Sequence, residues 1–454
     1  MRRIWNMRRS VVKTNERQGR LAGRFSGEEY GGATGFGLFM VAVIMAFGGF
    51  AVDLAQLNAA RTQLQIATDT AAHAALVTRH RGTEAEARAV ALQILEHNMP
   101  SGRFGSVITA QDIEFGVWDR EAGTFSPQPG ARQAVRVRGN RQAERGNQVF
   151  TYMLRMLGLR HFDLVEATVL TRYQPACLNE GFVAEGLVRF RSNNYFGEDF
   201  CVHSNDRVQM NNHNAFMPGS VVSMPNLADL GIPGSGFQQN PGLAEALRES
   251  RLDIRILREM DDIIAGLEAG DRTYVPDYIT NTVPVNTDIR NNNRSLTMDQ
   301  LTPGRIHRLH CQGNNGRVDL PGNTTIRDVV IVTNCDIQLG QSAQLENVVV
   351  ATTSTSESSV SGAARSTFGR DDNCGGGGAK VLTRGGMRFA AHLTLYGSQL
   401  IAQGDIQFAA QGAGIRGTSF VAGGEISGTS NMNMGVCPEG VEGGFQAGHF
   451  RMVM

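Results

Sequence analysis

Lysine is almost missing from this 454-residue chain: Lys13 and Lys380 are its only two, and the 43 basic residues, offset by 43 acidic ones, are otherwise arginine. Genomic base composition accounts for that bias more simply than a demand for bidentate anion recognition by guanidinium groups. The cations cluster only at the start, where residues 1–32 carry Arg2, Arg3, Arg8, Arg9, Lys13, Arg17, Arg20 and Arg24 and the remainder of the chain is mildly acidic. A nucleic-acid surface, which needs clustered cations to displace counterions from phosphates, is therefore not expected. Zinc is not expected either, because no C-x-x-C pair occurs and His307, His310 and Cys311 match no known ligand spacing. Tryptophan is limited to Trp5 and Trp118. No other cofactor is indicated.

Long hydrophobic runs are missing too, with one exception. Residues 33–52 contain no charge and are rich in Phe, Leu, Met, Val, Ile, Ala and Gly. At about 1.5 Å rise per residue such a run spans roughly 30 Å, the hydrocarbon thickness of a bilayer. Arginine lies on one side only, so the positive-inside rule leaves the basic tail 1–32 in the cytoplasm and the bulk outside, in the periplasm or beyond. A soluble core helix would have amphipathic flanks, and a cleaved signal peptide would have a shorter apolar region ending at a small-x-small site. An uncleaved inner-membrane anchor is the expectation.

The helical pattern continues past the apolar run without a breaker. Leu54, Leu57, Leu64, Ala71 and Ala75 fall near one face, giving a narrow, smooth stripe. It can pack on the protein's own following sheet or on a partner helix, which small residues allow to approach closely. Asp53, Leu57, Arg61, Leu64, Ala71 and Ala75 mark this candidate interaction face. The strings GGFAVD (Gly48–Asp53), RTQLQ (Arg61–Gln65) and ATDTAAHAA (Ala67–Ala75) resemble the N-terminal region of TadG-like proteins of Tad (Flp) pilus systems, relatives of the TadE-type minor pseudopilins. Thr68, Thr70 and His73 stand where that family prefers alanine; the first two are expected to loosen helix packing and His73 to face solvent. Glu28 and Glu29 precede the apolar run, and no glutamate sits five residues into it, so processing and polymerisation as a pilin is not implied. Family members often carry a von Willebrand factor A domain, whose D-x-S-x-S metal string is absent here.

The TadG-like anchor and stalk take residues 33–98, and a small α+β domain follows over 99–175. There Ile113, Phe115 and Val117 alternate with polar neighbours, Glu121–Gly123 turns the chain, and Ala134–Arg138 returns it. Val149–Leu157 reads as a helix stopped by Gly158, Leu164–Thr171 as a strand, and Trp118 as a packing residue against that helix.

Beyond residue 176 the sequence repeats itself. IRDVVIVT (Ile326–Thr333) aligns with LENVVVAT (Leu345–Thr352), and VLTRGGM (Val381–Met387) with LIAQGDI (Leu400–Ile406) and FVAGGEI (Phe420–Ile426). A short apolar strand followed by a tight glycine turn, repeated about every twenty residues, reads as a parallel β-helix. It is expected to cover 176–454, with insertions at about 225–300, helical over Pro241–Gly270, and at 353–379, a Ser, Thr and Gly tract expected to be a loop. CGGGGAK (Cys374–Lys380) lacks the spacing and the terminal Ser or Thr of a phosphate loop. LTPG (Leu301–Gly304) resembles a turn of the β-helical ectodomains that sometimes follow such anchors.

All six cysteines, Cys177, Cys201, Cys311, Cys335, Cys374 and Cys437, lie past the apolar run, which suggests disulfides among fifteen possible pairings. Equal spacing favours Cys177 with Cys201 and Cys311 with Cys335 across adjacent rungs, leaving Cys374 with Cys437. These features together imply a non-enzymatic envelope component of a Tad-type pilus or adhesion system. Its expected partners are the inner membrane, other Tad proteins or minor pseudopilins, cell wall or surface polysaccharide, and further copies of itself. The competing class is a membrane-tethered, β-helical polysaccharide lyase or glycosidase, for which Asp206, Asp319, Asp328, Asp336 and Asp405 are the available carboxylates. They do not recur at one rung position beside a basic partner. A bactofilin-like filament former is a third class, but those polymers are cytoplasmic and lack disulfides.

Overall fold

The computed structural model describes residues 31–173, 175–290, 293–312, 316–373, 375–409, 412–437, 441 and 443–454. The chain forms two compact units, the first running to Thr171 and including Arg451–Met454, the second Arg172–Phe450.

In the first unit, an uninterrupted and proline-free sequence makes one helix, α1, over Gly31–Arg81. It is long and apolar enough to cross a membrane, and its most apolar stretch is only 11% buried, so it is not a core helix there. Gly82 and Thr83 end it. Thr83 then opens α2 (Glu84–Asn98) with a reciprocal capping box to Glu86, and Pro100 follows its C-terminus. Ala87, Ala91 and Leu95 are the buried face of α2. Against α2 and the Ala134–Arg141 strand lies the second half of α1, with Leu64, Ala67, Ala71, Ala72 and Ala75 buried. Ile113–Asp119 pairs antiparallel with Thr124–Pro127 on one side and Ala134–Arg141 on the other, and the latter pairs with Leu164–Tyr173. The chain end returns to this unit: the Val169 amide donates to Met454 and the Val453 amide to Val169.

Two expectations for this unit are corrected. Val149–Leu157 is no helix: Val149–Phe150 pairs antiparallel with His161–Phe162, and a single 3-10 turn occupies Leu154–Leu157. The backbone amides that would have begun a helix are instead taken by a side chain of α1, described below. Trp118, half-buried, lies across the strand pair from Phe125, and the helix on which it was expected to pack is not formed.

Thr68 is also not the weakness its departure from alanine suggested. It is fully buried, its hydroxyl donates to the Leu64 carbonyl, and the space it needs is supplied by Gly139 on the facing strand. A Cβ on Gly139 would lie 2.5 Å from Thr68 Oγ1 and 2.8 Å from Leu64 Cδ1. Gly139→Ala is therefore expected to cost about 1–3 kcal/mol by overpacking, read from urea denaturation of the full chain in detergent. Adding Thr68→Ala should recover part of the loss, and equal losses in the single and double variants would contradict this packing.

The second unit is strand-rich, and its strands are parallel. One ladder runs, in spatial order, through Asn281–Ile289, Arg305–Cys311, Thr325–Thr333, Gln344–Thr352, Ala379–Thr383, Gln399–Ala402, Ser419–Ala422, Gly181–Ala184, Cys201–Ser204, Val221–Met224 and Leu247–Glu249. The repeats seen in the sequence are in register, Val329 facing Val348 and Leu400 facing Phe420, and Cys201 faces Val221 in the same way. A second parallel sheet of eight strands contains Val188–Phe190, Ile406–Phe408 and Ile426–Gly428. Both sheets contribute to one apolar core, with Phe182, Phe190, Phe200, Phe408 and Phe420 at its centre.

The spatial order is not the chain order. The strand at 419–422 abuts the one at 181–184, so residues 281–435 lie on one side of residues 181–249. Helix α3 (Arg255–Ala269) occupies the connection between the two sets. Its buried face, Ile256, Leu257, Met260, Ile263, Ile264 and Leu267, packs in one cluster with the residues the ladder turns away from its own core, Val183, Val421, Ile401, Leu382, Val349, Val330 and Ile306.

Two further expectations change. The Ser, Thr and Gly tract contributes strands Val360–Gly362 and Thr367–Phe368 to the parallel sheets, so it is not a loop throughout. The segment 225–300 likewise contains two ladder strands, Leu247–Glu249 and Asn281–Ile289.

Turns are held by polar ladders. Buried Asn194 donates to Asn214 Oδ1 at 2.9 Å, and Asn214 to Asn240 Oδ1 at 3.2 Å, while the Met432 amide donates to Asn194 Oδ1 at 3.0 Å. Asp328 and Asn347, with φ of 57° and 50°, stack at one bend and share a 3.0 Å hydrogen bond. Disulfides join Cys177 to Cys201 and Cys311 to Cys335, with Cα separations of 4.9 and 5.5 Å. The second continues the register of Leu309 with Thr333 across adjacent strands. The first ties the short helix Ala176–Asn179 to a strand, so the equal spacing has two different causes. Cys437 is disulfide-bonded as well, and Cys374, its expected partner, lies outside the described residues.

Candidate functional site

Asp53, the last residue of the GGFAVD string, is where α1 meets the rest of its unit. Its side chain turns inward and its carboxylate accepts three consecutive backbone amides, from Tyr152 at 2.7 Å, Met153 at 2.9 Å and Leu154 at 2.6 Å. Three successive N–H groups converge on one carboxylate only where the backbone curls, as it does entering the 3-10 turn at 154–157. One turn along, Gln56 Nε2 donates to the Phe150 carbonyl at 3.2 Å. Gly49 leaves room for Met153, which a Cβ there would approach to 2.7 Å. Further on, Arg61 pairs with Glu166 at 2.6 Å, and the Thr168 hydroxyl donates to Asp69. The motif residues of α1 thus fasten the helix to its own domain.

This arrangement uses part of the stripe inside the unit. Leu64, Ala71 and Ala75 are fully buried, Asp53 is 1% exposed, Leu57 is half-buried, and Arg61 reaches outward to its own sheet's Glu166. From Leu64 to Ala75 the protein itself covers the stripe, whereas Leu54 at its start is 44% exposed. The 149–162 hairpin is the feature that sequence reading missed; the signal was present in the apolar residues around Tyr152–Leu159, which the helical assignment absorbed.

The five aspartates of the second unit are scattered. Asp405 is exposed and accepts the Glu425 amide at 2.7 Å, Asp319 pairs with Arg317 at 2.7 Å, Asp336 accepts Ser354 and Ser356, and Asp206 is exposed. Asp328 belongs to the bend ladder. A polar hollow of about 120 Å³ lined by Asp371, Tyr396, Arg416 and Asn433 includes none of the five. His307 is buried with its Nε2 accepting the Thr302 amide, His310 is exposed and Cys311 is in a disulfide. Lys380 of the glycine-rich string lies on a strand opposite Val349 and Gln399. His203 bridges Ser223 Oγ at 2.7 Å and Asn205 Oδ1 at 3.0 Å, a nucleophile-like order sealed in the interior, where burial holds the imidazole below its usual pKa.

Glu180 is the buried acid with the clearest consequence. Both carboxyl oxygens face the Cys437 amide, at 3.1 and 2.9 Å, and burial outweighs that hydrogen bond, pushing the group up to about 7. An acid whose folded pKa is raised keeps its proton in the native state while the unfolded chain has released its own. Stability from this group is full below about pH 4.5 and falls as pH rises towards 7. At about 1.4 kcal/mol per unit the loss amounts to a few kcal/mol. Glu180→Gln should flatten that slope in urea midpoints measured between pH 4.5 and 7.5; an unchanged slope would place the effect elsewhere.

Comparison with known families divides the chain along similar lines. A model described as Domain of unknown function (DUF7867) matches residues 181–438, a Flp pilus-assembly TadE/G-like model matches 31–89, and a Tad-like Flp pilus-assembly model matches 67–168. The N-terminal region is therefore TadG-like, as its motifs suggested, and points to a non-enzymatic role related to pilus assembly. No curated protein and no solved structure matches the chain.

Proposed function

The chain belongs to the family defined by the domain of unknown function DUF7867, and from that premise, joined to its TadE/G-like N-terminal region, we propose that it is a membrane-anchored scaffold of a Tad/Flp-type pilus assembly system. The anchor is α1, the basic tail stays in the cytoplasm, and the second unit stands on the far side of the inner membrane. The observation that carries this reading is the Asp53 clamp, which holds the TadE/G-like helix to the domain behind it at the end of the apolar run. The in-register parallel ladders, a shared apolar core and stacked turn asparagines support a β-helix for the second unit, which presents a long, stiff surface. The disulfides suit an oxidising compartment. Such a surface is suited to holding other Tad components, or wall polysaccharide, outside the membrane.

Two measurements test it. An alkaline phosphatase moiety fused after Met454 should be active and a fluorescent protein that folds only in the cytoplasm should be dark. Crosslinking of the full-length protein in its native membranes, followed by mass spectrometry, should return other pilus-assembly proteins. A cytosolic reporter pattern, or recovery of cytoplasmic metabolic enzymes alone, would overturn the assignment.

A further inference from the structure

We infer that the 149–162 hairpin is a lipid-binding finger that dips into the interfacial layer of the bilayer beside α1. The inference rests on α1 spanning the membrane and goes beyond it, because it assigns a second contact with lipid to a segment outside the apolar run. The hairpin exposes Phe150, Tyr152, Met153, Met156, Leu157 and Leu159, with Met156 and Leu157 at 81% and 79% exposure. Six large apolar side chains bared on fourteen residues form a patch that soluble surfaces avoid. Its fold is what bares them: Val149 and Leu154 turn inward, and the 3-10 turn with Gly158 in the left-handed region projects Met156 and Leu157 at the tip.

What covers this patch follows from where it is fastened. Among the described residues, its hydrogen bonds to α1 and the Met153 contact fall between Gly49 and Gln56, at the end of the uncharged run. At about 1.5 Å per residue that stretch is roughly 10 Å of helix, comparable to the headgroup region at one leaflet. Over the same stretch α1 exposes Phe50, Val52 and Leu54, and Phe47 just before it, so the hairpin's apolar surface continues that of the membrane span. Its composition suits an interface better than a hydrocarbon core: Tyr152 supplies an amphipathic ring, and exposed Arg155 and Arg160 flank the tip where anionic headgroups lie. The Asp53 clamp consumes the three amides that the bilayer would leave without partners.

The test uses the full-length chain in vesicles of phosphatidylethanolamine and phosphatidylglycerol, with single cysteine variants labelled by an environment-sensitive fluorophore. Met156→Cys should emit at blue-shifted wavelength and lose at least half its intensity to lipids brominated near the headgroup end of the acyl chain. Phe39→Cys, within the span, should be quenched by lipids brominated deeper, and Glu121→Cys, at the exposed turn between two strands, by neither. Quenching at Phe39 without quenching at Met156 overturns the finger and leaves the anchor standing. No quenching at either site removes the anchor and the finger together. A Met156 label that is blue-shifted yet insensitive to brominated lipid means that a protein covers the hairpin, and that also overturns the inference.

Discussion

Replacing Phe182 by alanine is expected to cost about 3–5 kcal/mol and to open the second unit at one particular place. Phe182 is fully buried, with the rings of Phe190, Phe200, Phe408 and Phe420 centred 4.9–5.6 Å away. Its strand, Gly181–Ala184, is hydrogen-bonded to Cys201–Ser204 on one side and to Ser419–Ala422 on the other. The early and late parts of the unit meet at this strand, so the cavity would form where two sets of parallel strands from distant parts of the chain join. Urea unfolding should show the loss, and amide exchange should accelerate first at residues 181–184 and 419–422. Phe237→Ala, at a side chain 53% exposed, should stay within about 0.5 kcal/mol. A loss under about 1 kcal/mol at Phe182 would mean that the seam is not part of the stable core.

That seam also marks where sequence reading ran out. The repeats were legible because a buried strand and a tight turn recur with similar apolar residues, and Val329 with Val348 or Leu400 with Phe420 pair as the alignment implies. The same likeness hides the order of the strands: when each repeat has the same pattern, nothing local says that Phe420 pairs with Phe182 and not at a free edge. The Ser, Thr and Gly tract was misread because hydroxyl-rich composition signals a loop, whereas Val360 and Phe368 suffice to place short strands in the core. At the anchor, the apolar run, the Asp53 string and the small-residue stripe were all visible. Which surface closes the stripe was not, since Gly139, the residue that makes room for Thr68 and Leu64, carries no side chain to advertise the contact. The hairpin at 149–162 failed for a related reason, its turn being held by a carboxylate about a hundred residues earlier in the chain.

Met260→Asp on α3 should be the most damaging single change in the second unit, at about 3–5 kcal/mol or more, because it strands a carboxylate among apolar side chains with no partner. Met260 is fully buried within the cluster that α3 shares with Val183, Ile401, Leu382, Val349 and Ile306. These ladder residues come from both sides of the seam, so a single helix covers strands from the early and the late part of the chain. The apolar positions of α3, at 256, 257, 260, 263, 264 and 267, keep one stripe on the sheet through about three turns. Charging its centre should peel the helix off the ladder, expose residues 250–280 to limited proteolysis and leave the first unit's helices intact. Asp261→Ala supplies the contrast: it removes the ion pair to Arg384 at 2.7 Å, but that aspartate is 57% exposed, and exposed pairs contribute only about 0–1 kcal/mol. If the two variants proved equally mild, α3 would be a decoration on the ladder. If Met260→Asp alone opens the unit, the connection that carries the chain from one set of parallel strands to the other is also what holds those sets together.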